Sequence, residues 1–363
     1  MLIFYTMRPI TVLSLFDWMS CGRLALERAW IPVASYYASE IDKYAITISK
    51  KNYSSIIHIG DVSKCEYRYM RWTKHQWYYL LGEPNSDPLC TNMRRTDIDL
   101  LIGGSPCQWF SNAGKGLNFE DSRSKLFFEF VRILNEAKPR YFLLENVPMK
   151  EARIKIINQH LGGIQPTIIN SSLVSAQNRE RLYRVGKRVG ERYKMIYIPL
   201  PEDKKLTLKD ILQDKVEESY YINQDKVQNT DTKQSNFLKK ILLNIHPSGK
   251  GMNGNVYNPE HKSPTLTTNK GEWIKIIQLP RGKNIWGIME NKTPTLSANL
   301  WQHNNLLQEW YRVRRLTPIE CERLQTLPDN YTAGVSNTQR YKMLGNGRTV
   351  DVIAHIFREM FKD

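Results

Sequence analysis

Short apolar runs alternate with stretches of helical spacing through the first half of the chain. ITVLSLF (10–16), VASYYAS (33–39), IIHI (56–59), IDLLI (98–102) and RYFLL (140–144) read as strands, rich in β-branched and aromatic residues. Between them, GRLALERAW (22–30), KYAITISK (43–50) and RSKLFFEFVRILNEA (123–137) repeat their apolar positions at the period of a helix. Strand and helix in alternation predict a parallel sheet covered by helices, an α/β fold of the doubly wound kind. A further amphipathic helix is predicted over TVDVIAHIFREMF (349–361).

From about 200 to 310 the texture changes. This stretch is polar and rich in Asn and Lys, contains HPSGKGMNGN, and sustains no strand–helix alternation. It reads as a smaller, loop-rich second domain. HKSPTLTTN (261–269) and NKTPTLSAN (291–299) form a weak internal repeat around Pro-Thr-Leu, too few copies for a solenoid. The expected organisation is a catalytic domain over 1–195, a second domain over 200–310, and a segment over 311–363 that returns to the first.

In open sheets of this type ligands bind beyond the carboxyl ends of the strands. The residues at those ends are Asp17, Glu40, Asp61, Cys107 and Glu145. Acids at such points often serve only as helix caps, but five chemically able side chains in series favour a site. Cys107 stands out because GGSPCQWF places it just past a strand, in a turn whose glycines permit close approach to backbone.

Charge narrows the partner. Lys and Arg total 52 against 36 Asp and Glu, a net +16, with 19 Tyr and 9 Trp. Such a surface fits a polyanion. The 5 cysteines include no Cys-x-x-Cys pair, which argues against a zinc site or a disulfide framework and for a reducing, cytoplasmic setting. No stretch reaches membrane-spanning length, and neither a membrane nor a metal is expected. Met1 and Met7 are both candidate starts, which would make the first six residues dispensable.

The first strand, a glycine-containing turn and an acid near the end of strand two resemble a nucleotide-binding beginning, with Glu40 placed for ribose hydroxyls. There is no phosphate-cradling G-x-G-x-x-G or G-K-[ST], so a phosphate-free nucleoside cofactor fits better. Asp61 can accept from an adenine amino group. Cys107 and Glu145 together suit chemistry on cytosine. Carbon 5 of the ring is too electron-poor to take a methyl group until a thiolate adds at carbon 6, and an acid at ring nitrogen 3 promotes that addition. Arg179 and Arg181, in QNRERLY (177–183), can support the developing charge at oxygen 2.

The series LSLFD, CG, SEIDKYA, GD, GGSPCQ.FS.AGKG, EDSR..LFFEF, LLENV, SAQNRERLY, RLTPIECERLQTLPDNYT and MLGNG.TVDVIAHIF resembles the ordered motifs of the cytosine carbon-5 DNA methyltransferases, bacterial or phage type. It covers roughly 10–186 and 311–357. The resemblance implies a Rossmann-like methyltransferase sheet with a target-recognition domain at 200–310. It implies that Cys107 is the nucleophile, that Glu145 contacts the target ring, and that Arg181 supports oxygen 2 while Arg179 braces the site. S-adenosylmethionine would be held by Phe16, Asp17, Trp18, Gly22, Glu40, Asp61, Val62, Pro106 and Asn346. The segment 108–124, with Gly114 and Gly116, would close over a flipped base in double-stranded DNA. A restriction–modification context, a cognate restriction endonuclease and monomeric action follow as expectations of the same resemblance. A silent DNA-binding relative and an RNA methyltransferase are the alternative readings.

Five positions depart from the pattern. Trp18 and Trp30 stand where glycine is expected, and Trp109 replaces a small residue beside the nucleophile. Arg184 and Arg348 stand where tryptophan or another uncharged residue is expected. An indole at 18 or 109 is expected to clash or hold the loop open. Two explanations compete: loss of activity in a relative, or a source that reads UGA as glycine and CGA or CGG as tryptophan. The codons at these positions distinguish them.

Overall fold

The computed structural model describes residues 7–73, 76–82, 97–104, 125–222, 241–244, 255–266, 274–278 and 312–362. In chain order the elements of the first half are β1 (Ile10–Leu15), α1 (Cys21–Arg28), β2 (Val33–Ser39), α2 (Lys43–Asn52), β3 (Ile57–Gly60), β4 (Glu66–Thr73), β5 (Gln76–Gly82), β6 (Leu100–Gly103), α3 (Lys125–Ala137), β7 (Tyr141–Asn146), α4 (Glu151–His160), β8 (Thr167–Asn170), β9 (Glu180–Val189) and β10 (Arg192–Met195). The rest comprises β11 (Ile241–Asn244), β12 (Asn255–Tyr257), β13 (Lys275–Gln278), β14 (Arg312–Arg315), α5 (Pro318–Leu324), α6 (Asn337–Asn346) and α7 (Val350–Met360).

The main sheet has the order β10-β9-β7-β6-β1-β2-β3, with β8 pairing to β9. Strands β3, β2, β1, β6 and β7 run parallel, whereas β9 is antiparallel to β7, β8 and β10. The side-chain period of two places apolar residues of β1 on both faces of the sheet. Val12 faces one core with α1 and α7, whereas Leu13 and Leu15 face a second core with α3. The first core buries Ala25, Ile353 and Phe357, and the second buries Phe127, Phe130, Ile133 and Phe142. Helix α7, from the far end of the chain, therefore completes the domain that the first strands begin. Arg28 and Asp351 pair across α1 and α7 at 2.6 Å.

A smaller four-stranded sheet has the order β11-β12-β13-β14. Its last strand, β14, lies beyond residue 311, so the small sheet runs past the boundary read from sequence texture. The first Pro-Thr-Leu copy joins the two sheets' neighbourhoods. Asn178 N–H donates to Ser263 O (2.9 Å), Ser263 N–H donates to Ala176 O (2.8 Å), and the Thr265 hydroxyl donates to Asn178 O (2.8 Å). The second copy, 291–299, lies outside the described residues. Strands β4 and β5 pair with each other as a separate antiparallel hairpin in the stretch between β3 and β6.

Candidate active site

Strand register sets up the site. Leu15 pairs with Ser39 and with Gly103, Ser39 with Gly60, and Gly103 with Leu144. The next residue on each strand therefore falls in one row along the carboxyl edge of the sheet: Asp61, Glu40, Phe16, Gly104 and Glu145. Four of these were singled out from the sequence, and the parallel ladder brings them side by side. Cys107 follows Gly104 by three residues. Cys107, Pro106, Trp109 and the 108–124 loop lie outside the described residues.

One half of the row suits a nucleoside. The Glu40 carboxylate accepts from Trp18 N–H at 2.9 Å through Oε2 and from Ile41 and Asp42 N–H at 2.8 Å through Oε1. These bonds fix its plane, while burial raises its pKa above the ordinary value. Asp61 caps the turn after β3, its Oδ1 accepting from the Ser63 amide (2.9 Å) and hydroxyl (2.8 Å), and Val62 is buried behind it. Asp17 points elsewhere: it is buried and accepts from the Tyr36 and Ser20 hydroxyls, each at 2.7 Å, so it braces the β1–α1 turn from within. Gly22 is needed for that packing, because a Cβ there would lie 2.8 Å from Tyr36 Oη.

The β1–α1 turn is unusual. Phe16, Trp18 and Ser20 all adopt positive φ, at 55°, 54° and 63°. This left-handed region is natural for glycine and rare for aromatic residues. Trp18 is half-buried against the first core. Trp30 also has positive φ, 60°, with 90% of its surface exposed, so its indole gains little burial to offset the strain. The backbone thus confirms that both positions have the conformation for which glycine is the unstrained choice.

The other half of the row is electrostatic. Glu145 is buried at the end of β7, and its register partner on β9 is Tyr183, two residues from Arg181. Arg181 Nε lies 3.7 Å from Glu145 Oε1. Arg179 turns away from the carboxylate: Nη1 donates to Gly345 O (3.2 Å) and Nη2 to Gly347 O (2.9 Å), which anchors the turn that follows Asn346 at the end of α6. That turn delivers Arg348, whose Nε is 2.9 Å from Glu145 Oε2. Arg348 was noted in the sequence only as a departure, and nothing there places it against Glu145.

Arg184 is the contrasting case. It is fully buried in β9, donates from Nε to Asn158 Oδ1 (2.9 Å) and from Nη1 to Asn146 Oδ1 (3.0 Å), and has no partner for Nη2. Burial lowers its pKa to about 10, below the ordinary guanidinium value. Among the described residues no group of three His, Cys, Asp or Glu is placed to hold a metal, and no helix is long and apolar enough to cross a membrane.

The doubly wound sheet thus carries Asp61 and Glu40 toward one end of its carboxyl edge and Glu145, flanked by Arg181 and Arg348, at the other. Comparison gives the family. The model of the C-5 cytosine-specific DNA methylases matches residues 10–362, and the chain belongs to that family. It is 30% identical over a 460-residue alignment to the orphan methyltransferase M.SPRI of Bacillus phage SPR, covering 98% of each protein. It is 31% identical to the type II methyltransferase M1.ScrFI of Lactococcus lactis subsp. cremoris, covering 91% of this chain and 72% of that protein. Among solved structures, an Entamoeba histolytica methyltransferase, EhMeth, superposes with a TM-score of 0.63 at 19% identity, covering 98% of this chain and 99% of that one. A putative DNA modification methyltransferase encoded within an E. coli prophage gives 0.59 at 20% identity, covering 97% and 99%. These two likenesses establish the shared fold.

Proposed function

We propose that the chain methylates carbon 5 of a cytosine in a short sequence of double-stranded DNA, using S-adenosylmethionine. The observation that carries this reading is the row itself, in which the acids suited to a nucleoside and the carboxylate suited to a cytosine edge lie along one edge of the sheet, separated by strands β1 and β6. The cofactor's residues fit. Glu40 offers a fixed carboxylate to ribose hydroxyls, Asp61 accepts from an adenine amino group, and Phe16 and Val62 supply apolar surface beside them. Asn346 borders the same edge. When bound, the cofactor supplies an electrophilic methyl group.

The chain's own residues prepare the base. A stacked cytosine hides both faces of its ring, so the base is extruded from the duplex into the site. The Cys107 thiolate adds at carbon 6 while Glu145 supplies a proton to ring nitrogen 3, which makes carbon 5 nucleophilic. Arg181 holds oxygen 2, and Arg179 keeps the 345–347 turn in place. Loss of the carbon 5 proton and expulsion of the Cys107 sulfur then restore the aromatic ring. The basic surface grips phosphates, and the segment over 200–310 reads the target in the grooves. Relatives occur both as orphan and as type II methyltransferases, so a cognate endonuclease is a feature to seek in the neighbouring genes.

The test is bisulfite sequencing of plasmid recovered from a host without cytosine methylation that expresses this chain. Cytosines protected in one short context establish the activity and its target. Complete conversion, with soluble protein in the cells, rejects it for this chain.

A further inference from the structure

We propose that Arg348 is a positioning residue for the catalytic carboxylate, holding Glu145 by one oxygen so that the other meets ring nitrogen 3 of the base. The inference rests on the function proposed above. Its starting point is the two-sided environment of Glu145: Oε2 lies 2.9 Å from Arg348 Nε, whereas Oε1 lies 3.7 Å from Arg181 Nε. Only the first is a close charge-assisted contact. The oxygen on the Arg181 side is thus less tightly held. A carboxyl oxygen and a guanidinium side by side match the adjacent nitrogen 3 and oxygen 2 of a cytosine edge.

Three further observations show that Arg348 is held in place. Side-chain exposure is 6% for Arg348 and 9% for Glu145, so water competes little for the pair. The turn that carries Arg348 is fixed on both sides. Arg179 binds its Gly345 and Gly347 carbonyls, and the Thr349 hydroxyl donates to Gln325 Oε1 at 2.9 Å while accepting from Ser171 at 2.9 Å. Finally, Gly104 makes room, because a Cβ there would lie 2.8 Å from Arg348 Nη2. The guanidinium therefore occupies space that the strand-end glycine leaves open, directly between the cofactor half and the base half of the row.

A buried ion pair is weak evidence for stability, but the single close contact at Oε2 orients the carboxylate. The experiment compares the chain as written with R348Q, R348K and R348W. It measures covalent adduct formation with a duplex containing 5-fluorocytosine in the target context, together with the KM for S-adenosylmethionine. R348Q is expected to slow adduct formation by about 10- to 100-fold, as for loss of one oriented catalytic group, with the cofactor KM within about threefold. R348K, which keeps the charge, is expected to recover a clear part of that loss. A full rate in R348Q, or a faster rate in R348W than in the chain as written, overturns the proposal.

A double-mutant cycle of E145Q and R348Q on urea unfolding reads the contact without turnover. Non-additive effects support the contact even if the chain as written forms no adduct, in which case it is the activity that fails. Additive effects overturn the proposal.

Discussion

Replacing Arg184 with tryptophan is expected to stabilise the protein, and the structure sets the size of the effect. Burial lowers the pKa of this guanidinium to about 10, which means that it disfavours the charged form. At about 1.4 kcal/mol per pKa unit, the charge costs roughly 3 kcal/mol at neutral pH. Against this stand the bonds to Asn146 and Asn158, worth about 1 kcal/mol each, one of which an indole N–H can replace. The net expectation is a gain of about 1–2 kcal/mol, read as a shift in the urea midpoint at pH 8. The sign with pH follows from linkage. With a folded pKa below the unfolded one, the penalty is complete below about pH 10 and disappears as pH rises toward the ordinary guanidinium pKa. The advantage of R184W over the chain as written should therefore shrink across that window. An R184W protein less stable than its parent at pH 8, with an intact fold, would refute the reasoning.

Further predictions concern Trp18 in the β1–α1 turn, Trp30 in the α1–β2 turn, and Glu40. W18G and W30G each relieve about 1–2 kcal/mol of left-handed strain, less about 0.5–1 kcal/mol for the extra freedom of glycine in the unfolded chain. W30G, whose indole is exposed, is expected to raise the unfolding midpoint slightly, and a lowered midpoint contradicts the strain argument. Peptide mass spectrometry of the protein from its natural source tests the same positions directly, since it reads glycine or tryptophan at 18 and 30. Because burial raises the pKa of Glu40, its carboxylate is lost at a higher pH than the ordinary 4.5. S-adenosylmethionine binding should weaken as pH falls toward that value from above, and E40Q should flatten the dependence. Calorimetric titration at several pH values checks it, and a profile identical in E40Q assigns the effect elsewhere.

The parallel half of the sheet was legible in the sequence because its strands are short, mostly apolar runs, with β6 and β7 buried along their whole length. The five runs correspond to β1, β2, β3, β6 and β7, and three of the acids read beyond them, Glu40, Asp61 and Glu145, stand in the row. Strand β9 was not read. Its ERLYRVGKRV is dense in charge, and its burial comes from pairing with β7 on one side and β8 and β10 on the other, which local pattern does not record. The same is true of Arg184 and Arg348: a buried arginine is indistinguishable in sequence from an exposed one until its neighbours are placed. The small sheet escaped notice for a related reason. Its strands are only three or four residues long, and β12 pairs in parallel with β13 across an intervening stretch. The β4–β5 hairpin was not read either, since its Glu, Arg and Gln residues make it look like a polar connection.

The strap formed by Ser263 and Thr265 has a consequence for how this protein can diversify. Ser263 bonds the backbone on both sides of Gln177 and Thr265 bonds Asn178, immediately before the two arginines of the site. A recombination event that exchanged the whole loop-rich segment would also discard the clasp that seats the arginine strand, and would arrive with new specificity but a misplaced catalytic edge. Viable exchanges are expected to have their crossover points on the far side of the strap. In an evolutionary comparison of such proteins, residues 258–266 should descend with the catalytic domain, while the stretch beyond them changes ancestry freely.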